Sequence, residues 1–234
     1  MTYREIETAR FIKRINRFVA TVELHGREET VHVKNTGRCR ELLVPAATVI
    51  LSRGQGAARK TAWDLVAVWK ERKTGKILIN MDATAPNEVA AEWLTGSGLF
   101  SEGASLKREV TWGKSRFDFA IREGERLHFV EVKGVTLEEE DRGFFPDAPT
   151  ERGLKHVEEL IRAKESGYGA TLLFVAQWEG AKSVSPNRRT QPAFAEALLK
   201  ARKKGVRLLA VRCRTVESGM EILEEIPVDL FRNM

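Results

Sequence analysis

Two carboxylates and a lysine in the second half of the chain have the types and spacing of a divalent-cation site. Asp118 lies in one short apolar stretch, and Glu131, Val132 and Lys133 lie in the next. Because side chains alternate along a strand, Glu131 and Lys133 point to one face, and a hairpin between the two stretches brings Asp118 beside Glu131. Mg²⁺ and Mn²⁺ prefer oxygen ligands. The spacing therefore predicts that Asp118, Glu131 and the carbonyl of Val132 hold Mg²⁺ or Mn²⁺.

The same side chains suit the cleavage of a phosphodiester bond. A bound cation polarises a phosphate and lowers the pKa of a bound water. The Lys133 ammonium can orient that water or stabilise charge in the transition state. Asp118, Glu131 and Lys133 are accordingly the candidate catalytic residues. A surface salt bridge among the three is the alternative, because a Glu-x-Lys pair is common on strands.

A second polar cluster, residues 145–156, includes the start of a predicted helix. Thr150 is the candidate N-cap. Arg152 and Lys155 fall in the first turns, where the helix dipole disfavours positive charge, and this indicates a phosphate or carboxylate partner. Solvated helix charge is the alternative. His156 lies one turn from Arg152, but a lone histidine is more often packed or exposed than a catalytic base.

Positive charge is concentrated at the front of the chain. The net charge is +6, yet residues 1–85 alone hold 16 Lys and Arg against 9 Asp and Glu. Such a basic module indicates a polyanion, and double-stranded DNA is the expected partner; solvated surface charge is the alternative. The candidate nucleic-acid-binding residues are Lys13, Arg14, Arg17, Lys34, Arg38, Arg40, Arg116, Arg152 and Lys155.

The basic part reads as a series of short strands. Apolar and β-branched residues predict strands over 11–24, 30–34, 48–52, 63–69 and 76–80, separated mostly by turns that contain glycine. Five short strands in a small module favour an OB-like β-barrel over residues 1–85. Such barrels commonly hold nucleic acid by stacking and backbone charge, although a purely structural barrel is the alternative.

From residue 86 the pattern changes to mixed helices and strands. Helices are predicted over 87–94, 150–166 and 192–204, and strands over 106–112, 117–122, 127–135, 170–176 and 206–213. The unbroken apolar run at 170–176 is typical of a strand buried on both faces. The order αβββαβαβ predicts a mixed sheet flanked by helices over residues 86–234, so the whole chain belongs to the mixed α+β class.

Composition excludes several kinds of protein. The two cysteines, Cys39 and Cys213, cannot form a disulfide framework or a cysteine-based zinc site. No apolar stretch is long enough to cross a bilayer, and the N-terminus lacks the apolar core of a signal peptide. We therefore expect a cytoplasmic protein without a membrane partner.

The element order and the Asp…Glu-x-Lys spacing resemble the PD-(D/E)xK nuclease superfamily, whose restriction-endonuclease-like fold is then expected for the second domain. Phe117 precedes Asp118 where the superfamily pattern has proline. Some members keep a further metal-shell acid on the helix before the strands. The resemblance thereby implies Glu92 as an additional metal ligand.

Four segments together resemble the sugar fermentation stimulation protein (SfsA) family: residues 35–42, 115–119, 131–137 and 145–156. The residue after Val44-Pro45, often glycine in that family, is Ala46 here. The resemblance implies a DNA-binding protein, described as a regulator of maltose metabolism, with a nuclease-like C-terminal domain.

Three functions fit these observations. DNA binding, with a metal site that has lost catalysis, agrees best with the resemblance and the charge. An active Mg²⁺- or Mn²⁺-dependent nuclease acting on DNA or RNA is the second, and a homodimer would suit cutting both strands. A protein-interaction module with incidental charge is the third, and no sequence feature supports it.

Overall fold

Six strands at the front of the chain build the barrel. The computed structural model describes residues 1–56 and 59–231. The strands are β1 (Ile6–Arg14), β2 (Val19–Leu24), β3 (Arg27–Val33), β4 (Thr48–Arg53), β5 (Trp63–Arg72) and β6 (Gly75–Asn80). Their order is β3-β2-β1-β4-β5-β6, and a short parallel pairing of β3 with β5 closes five of them into a ring. This confirms the OB-like barrel, with β6 extending it as the second arm of a hairpin.

One predicted strand was wrong. Residues 11–24 form the two antiparallel strands β1 and β2 instead of one strand. Asn16 makes the turn between them, because its Oδ1 accepts hydrogen bonds from the main-chain N–H groups of Phe18 (2.8 Å) and Val19 (3.1 Å). An asparagine side chain that binds the backbone two residues ahead is a common turn device, and it needs neither glycine nor proline. The turn at Ala46 also forms, with alanine at a left-handed φ of 67°.

The second half is a sheet with helices on both faces. It contains α1 (Ala85–Gly96), β7 (Ser105–Trp112), β8 (Ser115–Glu123), β9 (Arg126–Val135), α2 (Glu151–Glu165), β12 (Gly169–Ala176), α3 (Pro192–Lys203), β14 (Arg207–Val216) and β15 (Gly219–Ile226). The sheet order is β15-β14-β12-β9-β8-β7, and the central strands β9, β12 and β14 are parallel. The α1 helix packs with Leu173 and Val175, while α2 and α3 pack with Leu172 and Phe174 on the opposite face. The mixed sheet is thus confirmed.

Four strands were not predicted from the sequence. Three of them, β10 (Leu137–Glu139), β11 (Arg142–Phe145) and β13 (Ser183–Pro186), form a small separate sheet in the order β10-β11-β13. They have three or four residues each, too few for an alternating pattern to stand out. The fourth, β15, is an exposed edge strand with charged residues, which blunt such edges.

The barrel and the larger sheet share their interior. Val33 and Met81 of the barrel part belong to the same hydrophobic cluster as Val135 and Trp178. The main-chain N–H of Asn80 also donates to the carbonyl of Gln177 at 3.0 Å.

Ion pairs reinforce this junction. Lys70 of β5 binds the buried carboxylate of Glu138 at 2.6 Å, and Arg72 binds Asp141. The barrel is therefore held to the larger sheet by packing and to the small sheet by charge. No helix in the described ranges is long and apolar enough to cross a membrane.

Candidate metal centre and nucleic-acid interface

Asp118 lies where β8 and β9 separate. Their pairing ends at Phe119 and Val130, and one residue further on the Asp118 side chain takes the place of a main-chain partner. Its Oδ2 accepts the N–H of Val132 at 2.7 Å, and its Oδ1 accepts from Asn87 Nδ2 of α1 at 2.8 Å. Both carboxylate oxygens are thus held in fixed directions at the edge of the split.

The apolar residues of β8 change faces at the same point. Phe117 packs against Phe129 on the α2 side, with ring centroids 5.1 Å apart, whereas Phe119 belongs to the cluster on the α1 side. Two residues of a regular strand that are two positions apart would share a face. At this irregularity the Asp118 side chain reaches both the main chain of β9 and Asn87 of α1.

Burial raises the pKa of Asp118, and the nearby negative charge of Glu131 raises it further. The Val132 N–H, Lys133 and Asn87 oppose this rise without cancelling it. Two carboxylates crowded together in this way disfavour ionisation of one of them until a positive charge arrives.

Glu131 has one bonded and one unbonded oxygen. The residue is 2% exposed, and its Oε1 accepts from Lys133 Nζ at 2.6 Å and from His156 Nδ1. Its Oε2 is buried, and no donor in the described part of the chain reaches it. Burial opposes ionisation, but the hydrogen bond from His156 and the charge of Lys133 hold the pKa of Glu131 below its usual value. The ionised group therefore has an oxygen available for a cation.

His156 holds Glu131 in position. It lies on α2, whose first turn is capped by Thr150 Oγ1 accepting the N–H of Gly153 at 2.9 Å. Arg152 Nε donates to His156 Nε2 at 3.4 Å, so Nε2 is the acceptor and Nδ1 carries the proton donated to Glu131. Sequence spacing linked His156 to Arg152 but gave no sign of its contact with Glu131.

The donor set fits a hard divalent cation. Asp118, the unbonded Oε2 of Glu131 and the Val132 carbonyl are oxygen donors, as Mg²⁺ and Mn²⁺ require. Within the described ranges there is no group of three or more His, Cys, Asp or Glu side chains arranged to hold a metal. Two carboxylates are nevertheless sufficient, because Mg²⁺ usually keeps several waters and binds one or two carboxylates together with substrate phosphates.

Glu92 is not brought to this cluster. Its side chain is 59% exposed and binds the N-terminal amino group of Met1 at 2.8 Å. It follows Asn87 on α1 by about 1.4 turns and so faces a different direction. The α1 residue that contacts Asp118 is Asn87, whose amide is not among the groups predicted from the sequence to bind a metal.

A basic groove of about 340 Å³ lies on the barrel. It is formed by the β1–β2 turn and by the segment between β3 and β4. Its lining residues are Arg14, Asn16, Arg17, Thr36, Gly37, Arg38, Arg40 and Leu43. Four arginines and no acid line it, so a negatively charged group would be attracted to it.

Arg14 was predicted from the sequence to contact nucleic acid, but in the structure its side chain is bound to the protein's own main chain. All five of its N–H donors are used by main-chain carbonyls: those of Asn16, Arg17, Asn35, Gly37 and Arg38, at 2.6 to 3.1 Å. A guanidinium has five N–H donors, so none remains for a phosphate. Arg14 instead ties together the two segments that form the groove.

Four other candidates are engaged in contacts within the protein. Lys34 pairs with buried Asp82 at 2.7 Å and Arg116 with Glu109 at 2.7 Å. Lys155 donates to the carbonyl of Lys114 at 2.8 Å, and Arg152 contacts His156. These side chains are less available to DNA than the sequence suggested.

The remaining candidates are exposed and free to bind. Lys13, Arg17, Arg38 and Arg40 make no hydrogen bond or ion pair through their side chains within the described ranges. The Arg17 guanidinium lies over the ring of Phe18, 4.9 Å from its centroid. Three of these four residues line the groove.

The groove loop touches the segment that leads into α2. A Cβ on Gly37 would lie 3.0 Å from Asp147 Oδ2, so glycine permits this close approach. Asp147 precedes Thr150, where α2 begins, and α2 carries the His156 that holds Glu131. The segment 147–156 therefore connects the groove with the candidate metal centre.

Comparisons with known proteins agree with this architecture. The model of the "SfsA N-terminal OB domain" matches residues 12–80, and that of the "Sugar fermentation stimulation protein RE domain" matches residues 84–219. A sugar fermentation stimulation protein homolog from Desulfitobacterium hafniense (strain Y51) is 48% identical over 230 residues, covering 98% of this chain and 99% of the relative. The homolog from Clostridium novyi (strain NT) is 46% identical over 233 residues, covering 98% and 100%.

A solved structure is similar along nearly the whole chain. It is described as the structure of Pyrococcus furiosus SfsA in complex with Ca²⁺. The TM-score is 0.86 at 28% sequence identity, and the match covers 98% of each chain.

Proposed function

Because the chain belongs to the sugar fermentation stimulation protein (SfsA) family, we propose that it is a DNA-binding protein whose larger sheet holds a divalent cation. The observation that carries DNA binding is the barrel groove, lined by four arginines and no acid. Arg17, Arg38 and Arg40 offer unused guanidinium donors, and Arg14 adds charge while it fixes the loops. Guanidinium groups bind phosphate oxygens well because two parallel N–H donors match them.

Affinity for a labelled DNA, measured by fluorescence anisotropy at several salt concentrations without metal, tests this proposal. We expect the double substitution Arg38→Ala/Arg40→Ala to weaken binding and to reduce the salt dependence, because fewer phosphates are neutralised. The matched control is Arg202→Ala/Lys203→Ala, which removes two exposed charges from the end of α3. Equal affinity of the two double variants would remove the groove from the proposal.

Metal-dependent phosphodiester cleavage is a second candidate, favoured by the buried, unbonded Oε2 of Glu131. Asp118, Glu131 and the Val132 carbonyl would hold the cation. A similar protein was solved with Ca²⁺, which is consistent with an oxygen-lined site. When bound, the cation supplies Lewis-acid polarisation and a water of lowered pKa.

The surrounding residues have separate tasks in this candidate reaction. Asn87 and the Val132 N–H orient Asp118, and His156 orients Glu131. The Lys133 ammonium, 2.6 Å from Glu131 Oε1, offsets negative charge where a scissile phosphate would lie.

Calorimetric titration with Mn²⁺ and a plasmid-nicking assay with Mg²⁺ or Mn²⁺ separate the two candidates. We expect Asp118→Asn to lose cation binding and cleavage while keeping DNA affinity measured without metal. Lys133→Ala should keep the cation but lower the cleavage rate by about 10²-fold or more. Cation binding without cleavage would make the protein a binder only, and wild-type Mn²⁺ affinity in Asp118→Asn would exclude this metal site.

A further inference from the structure

We propose that the barrel groove binds an unpaired stretch of DNA, with phosphates on Arg17, Arg38 and Arg40 and a base stacked on Phe18. This rests on the proposed DNA binding and names the form of DNA that the groove takes. Single strands differ from a duplex because the flat faces of their bases are open to stacking. The groove offers charge to such a strand, and the turn at its edge offers the exposed Phe18 ring beside Arg17.

Exposed apolar residues are the immediate sequence neighbours of residues that line the groove. Five large hydrophobic residues of the described chain are exposed, and three of them are Ile15 (56%), Phe18 (44%) and Val44 (47%). Ile15 and Phe18 belong to the β1–β2 turn, and Val44 follows Leu43 of the groove lining. Apolar patches kept at the surface usually mark a binding site. The outside of a duplex offers mainly phosphate and sugar, which would leave these side chains unused.

The turn that carries Phe18 is already fixed. Asn16 Oδ1 accepts the N–H groups of Phe18 and Val19, and Arg14 donates to the carbonyls of Asn16 and Arg17. The Phe18 carbonyl accepts from the N–H of Val33 at 2.8 Å. The main chain that carries the exposed ring is therefore fixed before any ligand arrives, which lowers the entropy lost on binding.

Charge and size agree with a short single strand that has one nucleotide unit in the groove and neighbouring phosphates on the arginines. The Arg17 guanidinium covers one face of the Phe18 ring at 4.9 Å, so a base can stack on the other face while Arg17 reaches its phosphate. A groove of about 340 Å³ is at the lower end of the range for small-ligand pockets, about 300 to 1,000 Å³. With three free arginines, the salt dependence for a single strand should have a slope near −2, from about −0.7 per phosphate.

The test compares a labelled 12-nucleotide single strand, the matching duplex and a single strand with abasic sites, all in EDTA with the full-length chain. We expect the wild type to bind the single strand at least about tenfold more tightly than the duplex or the abasic strand. Phe18→Ala should lose about 5- to 150-fold for the single strand, as stacking on one base predicts, and should no longer distinguish the abasic strand. Phe18→Trp should restore the preference.

The control variant is Val216→Ala, which shortens an exposed apolar residue elsewhere. It should bind all three DNAs like the wild type. Equal or tighter binding of the duplex by the wild type, or an equal loss for single strand and duplex in Phe18→Ala, would overturn the inference. If Arg38→Ala/Arg40→Ala weakens all three DNAs while Phe18→Ala weakens none, the inference fails and DNA binding at the groove stands. If the arginine variant changes nothing, the proposed function itself fails.

Discussion

Among single residues, Arg14 and His156 act by holding other groups in position. Arg14 binds five carbonyls of the two groove segments, and His156 sits between Arg152 and Glu131. A list of basic or ionisable residues cannot distinguish such side chains from those that are free to bind a ligand. The distinction lies in how many donors the fold has already used.

Arg14→Lys is expected to destabilise the protein by roughly 2 kcal/mol, because one ammonium cannot reach five carbonyls in a planar array. Chemical denaturation with urea measures the free energy of unfolding. Arg38→Lys makes the same exchange at an exposed residue whose side chain has no hydrogen-bond or ion-pair partner in the described ranges, and it should change this free energy by less than about 0.5 kcal/mol. Equal stabilities of the two variants would show that the carbonyl contacts of Arg14 contribute nothing.

His156→Gln is expected to lower the affinity for Mn²⁺ by about 10- to 100-fold, as is typical when a group that orients a metal ligand is replaced. The proposed ligands Asp118 and Glu131 remain, so weak binding should persist. Titration calorimetry measures the dissociation constant, and a melting curve checks that the buried site still folds. An unchanged dissociation constant would contradict the positioning role.

Between elements, the contact of β5 with the small sheet rests on buried charge. Glu138 is 2% exposed and accepts from Lys70 Nζ with both its carboxylate and its carbonyl oxygen. Asp141 lies between Arg72 and Lys182. Removing one member of such a buried pair leaves an uncompensated charge, which costs more than the pair itself contributes.

Lys70→Met is expected to destabilise the protein by about 3 to 5 kcal/mol, because Glu138 would then be buried with weaker compensation. Lys73→Met, in the exposed turn of the same hairpin, is the matched control and should have little effect. Unfolding in urea measures the free energy of unfolding of both variants. A loss below about 1 kcal/mol for Lys70→Met would contradict this account of the junction.

The Glu138 carboxylate makes the free energy of unfolding depend on pH. Burial alone would raise the pKa of Glu138, but Lys70, the Asp141 N–H and Arg72 bring it below the usual value. A lowered folded-state pKa contributes stability above the unfolded pKa, about 4.3, and that stability is lost as the pH falls through the folded value. The free energy of unfolding should therefore fall more steeply below about pH 5 in the wild type than in Glu138→Gln. If the free energy of unfolding fell equally with pH in the two proteins, the Glu138 carboxylate would make no such contribution.

Elements with strong local signals were predictable. The Thr150 cap located the start of α2, and the apolar run at 170–176 located β12. The β1–β2 turn was missed because Asn16 replaces the expected glycine. The strands β10, β11 and β13 are stabilised by contacts across the chain that no local pattern contains.

In the candidate site, the arrangement of residues along one strand was predictable, but the contacts from the helices were not. Alternation along β9 predicted that Lys133 and Glu131 share a face, and their atoms lie 2.6 Å apart. Asn87 and His156 reach the two acids from α1 and α2, and such contacts depend on tertiary packing. Sequence spacing alone could not assign them.

For the whole molecule, the shared interior is the dominant feature. One hydrophobic cluster contains residues of the barrel and of the larger sheet, and Asn80 is hydrogen-bonded to Gln177. Neither part encloses this cluster alone.

We expect the full chain to unfold in a single transition. Tryptophan fluorescence follows Trp63 and Trp69 in β5 together with Trp93, Trp112 and Trp178 elsewhere, and circular dichroism follows the helices outside the barrel. The two signals should give the same midpoint in urea, as two-state unfolding requires. Two separated midpoints would mean that the barrel is an independent folding unit.

The hydrogen bond between Asn80 and Gln177 also bears on synthesis at the ribosome. The barrel strands are translated first. Glu138, which pairs with Lys70, and Gln177, whose carbonyl accepts from Asn80, are translated much later. At about 5 to 20 residues per second, roughly 5 to 20 seconds pass between translation of Asn80 and of Gln177. During that interval the nascent barrel exposes the apolar face that Trp178 and its neighbours later cover, and it is then most accessible to chaperones.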